Sequence, residues 1–136
     1  RFKNRRQVSS YTGLCPGVHQ SGGRKRDGSI NRHGNPRVRA LLRRMADSGR
    51  FTAAICAAPR VLASAGLLAG KQATGYPGVL DAIAPAGATL SGDAVVADGK
   101  VITSRGPGTA MDFALTLVEQ LVGRARRAEV EAALVR

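Results

Sequence analysis

The chain has 136 residues, enough for one modest domain with its own core. Its net charge of +12 is unevenly placed: residues 1–50 hold thirteen Lys/Arg against Asp27 and Asp47, whereas residues 51–136 hold eight basic residues against seven acidic ones. No run of about 18 apolar residues occurs, which excludes a membrane-spanning helix. The two cysteines, Cys15 and Cys56, form no CxxC pair, and His19 and His33 stand off metal-ligand spacing, so we expect no disulfide framework, no zinc site and no cofactor. That cysteine usage points to a reducing cytoplasm. The chain opens at Arg1 with no Met and no leader, as the interior or tail of a longer reading frame would.

Residues 1–35 are poor in aliphatics and rich in Gly, Ser, Asn and Arg. NRRQVSSYTGL suits one short helix ended by Gly13, and SGGRKRDGSINRHGN reads as a basic hairpin or loop punctuated by glycine. Two readings of the excess charge stand side by side. Lysines and arginines placed on phosphates release counterions and favour a nucleic acid, and the same residues also suit a solvated arm.

At Asn35-Pro36 the pattern changes to a cap and a first-turn proline, followed by Val38, Leu41, Leu42 and Met45 at amphipathic-helix spacing. Ser48 and Gly49 end that helix. Phe51–Ile55 is a short apolar run, expected as a strand buried on both faces, and a helix over about Ala57–Ala65 follows. KQATGYPG predicts a short strand and a turn, and GVLDAIAP about two helical turns halted before Pro85.

AVVADGKVITS is a hairpin around Asp98-Gly99, a pair that readily supplies a positive φ. A long helix then opens with Thr109 and Asp112 at capping-box spacing, and Ala110, Ala114, Leu117, Val118, Leu121 and Val122 form its apolar stripe up to Gly123. RRAEVEAALV makes a last helix. The order predicts an α/β fold, a layered sheet with helices on both faces.

The chemistry concentrates at FTAAICAAPRVL. A nucleophile elbow needs small residues two places either side of the apex, and Ala54 and Ala58 stand there around Cys56. Such a corner favours a thiolate through the N–H groups opening the next helix, and the Ala57 N–H is placed to hold an oxyanion. A small, buried, inert cysteine fits the same alanine-rich junction.

AAICAAPRVLASAGLLAGKQATGYPGVLD, followed by VITSRGPGTAMDFALTLVEQLVG, resembles the carboxy-terminal half of the ThiJ/PfpI superfamily, the family of the DJ-one protein deglycase. The resemblance runs over residues 36–136. It implies a partial flavodoxin-like sheet of the class I glutamine amidotransferase kind, a homodimer, and Cys56 as an oxidisable nucleophile acting with Ala57 on a small aldehyde or a glycated substrate. It also makes residues 104–109 the loop before the long helix, and sets Tyr76 where some members carry histidine. The family's glutamate from early in the chain has no counterpart before Glu119, and the glycine loop ahead of the elbow has none either.

The segment NRRQVSSYTGLCPGVHQSGGRKRDGSINRHGNPRVRALL resembles instead the carboxy-terminal part of bridge-RNA insertion-sequence transposases, which pair a DEDD nuclease domain with a serine domain. That likeness implies Ser21 as the serine position, with Gln20 where a neighbouring serine is common. It makes Arg24, Lys25, Arg26 and Arg32 phosphate contacts to DNA or RNA. The two likenesses divide the chain into a basic, transposase-like segment, 1–35, and a ThiJ/PfpI-like half-domain, 36–136, with the seam within residues 35–43. Three functions follow: a cysteine enzyme or redox sensor of the ThiJ/PfpI type, a nucleic-acid-binding transposase fragment, and a rearranged chain without a selected function.

Overall fold

In the computed structural model, residues 16–21, 24–30 and 36–135 are described. The first two stretches are strands β1 (Pro16–Ser21) and β2 (Arg24–Ile30), paired antiparallel with Ser21 opposite Arg24. The basic stretch is therefore a hairpin rather than a loop. The helix expected in NRRQVSSYTGL lies outside the described residues.

Helix α1 (Pro36–Asp47) begins at the proline, as its fixed φ favours, and Gly49 turns the chain with φ +69. Strand β3 (Thr52–Ile55) and helix α2 (Pro59–Ser64) follow. Then come strand β4 (Gln72–Ala73), a turn of 3-10 helix over Pro77–Val79, helix α3 (Leu80–Ile83) and strand β5 (Thr89–Leu90). Strands β6 (Val95–Asp98) and β7 (Val101–Ser104) form the expected hairpin, whose turn is made by Gly99, at φ +61, and Lys100. Helices α4 (Ala110–Val122) and α5 (Arg124–Ala133) close the chain on either side of Gly123.

The main sheet has the order β3-β7-β6, with β7 parallel to β3 and antiparallel to β6. All four residues of β7 are buried, which makes it the strand around which the fold is built. On one face Ala54 and Val101 pack with Leu62 and Leu68, and Ala73 and Ile83 complete that core. Burying a leucine of this kind stabilises the fold by about 1.5–3 kcal/mol. Helix α4 packs over β6 and β7, where Leu115 is buried.

Two expectations need correction. Strand β3 is not covered on both faces: Ala53 is exposed, and α4 lies over β6 and β7. The buried side of α4 is also not the expected stripe. Leu115 is its buried residue, whereas Ala110 and Ala114 are exposed and Leu121 and Val122 are each 64% exposed. The helix is apolar on most of its circumference, so periodicity alone could not choose which line meets the sheet.

Surface ion pairs finish the structure. Glu119 on α4 accepts from Arg127 on α5 at 2.5 Å and from Arg124 at 3.4 Å, joining the two last helices. Asp98 accepts the Gln72 N–H at 2.8 Å and pairs with Lys71 at 3.4 Å, joining β4 to the hairpin. No helix among the described residues is long and apolar enough to cross a membrane.

Candidate active site

Cys56 follows β3 directly, and its backbone has φ +62, one of two non-glycine residues with positive φ among those described. The left-handed conformation costs an L-residue about 1–3 kcal/mol and persists only where the surroundings enforce it. Here they do so from two sides. The Cys56 N–H donates to the Ser104 carbonyl at 3.0 Å, extending the β3–β7 ladder by one rung, and the Cys56 carbonyl accepts the Tyr76 N–H at 2.9 Å.

The turn beyond Cys56 is tight. Ala58 N–H donates to the Ile55 carbonyl at 3.1 Å, and α2 begins only at Pro59. The expected helical start at Ala57 is thus corrected by two residues, since the reversal at Cys56 takes up Ala57 and Ala58. The Ala57 N–H has no acceptor among the described residues. It belongs to the residue directly after the half-buried Cys56.

The segment after β4 is held against this corner by small residues. Thr74 donates its N–H to Thr103 Oγ1 at 2.9 Å, and both threonines are buried. A Cβ added at Gly75 would lie 3.3 Å from Val79 Cγ2 and 3.4 Å from the Cys56 carbonyl oxygen, so a larger residue here would press on Val79.

The loop after β7 forms the remaining side, and Thr109 is its hub. Its Oγ1 lies 2.6 Å from Ser104 Oγ, accepts the Gly106 N–H at 3.1 Å and reaches the Gly106 carbonyl at 2.9 Å. Ser104 Oγ donates to the Ala94 carbonyl at 2.9 Å, and the single Thr109 hydroxyl proton is shared between Ser104 Oγ and the Gly106 carbonyl. The Thr109 hydroxyl therefore serves the loop at Gly106, and makes no cap on the first turn of α4. Expected from Thr109 and Asp112, the capping interaction is displaced one turn towards the amino terminus.

The structure thus brings Cys56, Ala57, Tyr76 and the 104–109 loop together. Ser21 ends β1 and Arg24, Lys25 and Arg26 open β2, while Arg32 lies outside the described residues. No cluster of three or more His, Cys, Asp or Glu suited to a metal exists among the described residues. Sequence reasoning missed Thr103 and Gly75, whose roles depend on contacts across the sheet; a glycine after β4 was the one signal offered.

The DJ-1/PfpI family matches residues 21–120. Protein dj-1beta of Drosophila melanogaster is 44% identical over 95 residues, covering 70% of this chain and 51% of its own. A Caenorhabditis elegans protein named glutathione-independent glyoxalase DJR-1.2 is 42% identical over 88 residues, covering 65% of this chain and 47% of its own. Among solved structures, Schizosaccharomyces pombe DJ-1 superposes with a TM-score of 0.69 at 31% identity, covering 75% of this chain and 54% of that one. The chain spans about half the length of these relatives, and the fold is flavodoxin-like α/β.

Proposed function

Because the chain belongs to the DJ-1/PfpI family, we propose that Cys56 is a reactive thiol that adds to small aldehydes, the chemistry of a deglycase or glyoxalase-related protein. One observation carries the reading: a strained cysteine at φ +62, pinned on both sides, next to an Ala57 N–H without an acceptor. Strain at a residue that packing alone does not need is a mark of function.

In the proposed step the Cys56 sulfur, as thiolate, gives an electron pair to the aldehyde carbon. The carbonyl π pair moves onto oxygen, which the Ala57 N–H stabilises, and a proton from water completes a hemithioacetal. Turnover beyond the adduct requires a group that moves a further proton, and these 136 residues hold no glutamate before Glu119. In this reading the protein works as a homodimer in a reducing cytoplasm, where Cys56 stays a free thiol and oxidation of that thiol is a second outcome of the same reactivity.

The test uses a Cys15→Ser chain, in which Cys56 is the one thiol. Methylglyoxal is titrated, and the hemithioacetal is read as protection of the thiol from a fast disulfide reagent. Protection at lower methylglyoxal concentrations than a short cysteine peptide needs is the expected result; equal protection would overturn the proposal.

A second reading, nucleic-acid binding, is favoured by the β1–β2 ribbon, because β2 begins with Arg24, Lys25 and Arg26 and Ser21 sits opposite Arg24. A two-stranded ribbon fits the major groove of B-DNA. Contact with three phosphates predicts a salt slope that falls by about 2.7 when all three residues become alanine. Binding that keeps its slope in that variant would remove the ribbon from the interface.

A further inference from the structure

We infer that the Tyr76 ring is the specificity-determining wall of the Cys56 site, selecting α-oxoaldehydes that carry an aromatic or other planar apolar substituent. The inference rests on the aldehyde reading above and adds to it a substrate class.

The residue is anchored at the nucleophile. Its N–H is bonded to the Cys56 carbonyl at 2.9 Å, and its own backbone is extended, at φ −60 and ψ 136, just before Pro77. The proline disfavours a helical conformation at Tyr76, so the direction of the side chain is set by local sequence.

The ring then spans two glycines. A Cβ at Gly78 would lie 3.6 Å from Tyr76 Cδ1, and one at Gly106 would lie 3.7 Å from Cδ2. Gly106 belongs to the loop that leaves β7 two residues after Ser104, whose carbonyl holds the Cys56 amide. Both ends of the ring's seat are therefore tied to the elbow.

Because both seats are glycines, no neighbouring side chain at these positions shields the ring, and Tyr76 is 52% exposed. An exposed aromatic ring on the residue whose N–H is bonded to the Cys56 carbonyl offers stacking to a substituent carried on the Cys56 sulfur. Offset stacking of one ring on another is enough for a preference of about threefold to tenfold.

The experiment again uses the Cys15→Ser chain, with hemithioacetal formation at Cys56 measured for phenylglyoxal and for methylglyoxal. Iodoacetamide alkylation serves as a reference for the integrity of the thiol in each variant. The protein should favour phenylglyoxal over methylglyoxal about threefold or more beyond the ratio shown by a cysteine peptide. Tyr76→Ala should abolish that excess, read as the phenylglyoxal-to-methylglyoxal ratio so that any change in the thiol itself cancels, and Tyr76→Phe, which keeps the ring and loses the hydroxyl, should retain it. An unchanged excess in Tyr76→Ala, or no excess in the parent chain, overturns the inference alone. Failure of Cys56 to bind either aldehyde better than the peptide overturns the aldehyde reading with it.

Discussion

The amide of Cys56 donates to the carbonyl of Ser104 at 3.0 Å, so Cys56 is the last rung of the β3–β7 ladder. β7 is buried along its whole length, and its end is fixed in turn by the hydroxyls of Ser104 and Thr109. The position of the sulfur is thus an extension of the core, and three consequences can be measured.

The strain at Cys56 predicts an inverted order of substitution. At an ordinary position glycine is about 0.5–1 kcal/mol less stable than alanine. At φ +62 the alanine keeps the steric cost and the glycine removes it, so Cys56→Gly should melt at or above the temperature of Cys56→Ala. Melting of the glycine variant several degrees below the alanine variant would show that Cys56 is not held in the left-handed region.

Removing the Thr109 hydroxyl should loosen the loop beside the elbow. Thr109→Val leaves the Gly106 N–H without its acceptor and deprives Ser104 Oγ of a 2.6 Å partner, at a cost of about 1–3 kcal/mol. Thr109→Ser, which keeps the oxygen, should recover most of it. Denaturant titration of both variants distinguishes this from loss of the methyl group, since a methyl effect would weaken the serine variant instead.

Two carboxylates give the fold an acid limit. The Gln72 N–H, and then Lys71, hold the Asp98 carboxyl below its ordinary value of 3.8; Arg127, and then Arg124, hold Glu119 below 4.5. Each is more easily ionised folded than unfolded, so its contribution is present above the unfolded value and is lost as pH falls through the lowered folded one. The chain should lose melting temperature between about pH 5 and pH 3 more steeply than Asp98→Asn/Glu119→Gln. Parallel curves for the two proteins would contradict this assignment.

How much of this could be read from sequence follows the range of the interactions. The β6–β7 hairpin and the start of α1 depend on neighbours in the chain, Asp98-Gly99 and Asn35-Pro36, and both were legible. The elbow was legible as Cys56 flanked by Ala54 and Ala58, because the small residues are a local requirement. The passage of Gly75 beside the Cys56 carbonyl is not local, since nineteen positions separate the two residues, and nothing in GYPG announces its target. The face of α4 was illegible for another reason. With apolar residues on most sides, only the location of β7 selects Leu115.

The reactivity of Cys56 tests the whole account most directly. In the Cys15→Ser chain, iodoacetamide alkylation at neutral pH should run faster at Cys56 than in an unstructured cysteine peptide under the same conditions, and unfolding the protein in urea should erase the difference. A rate equal to or below that of the peptide in the folded protein would show that the corner between β3 and α2 holds an inert cysteine.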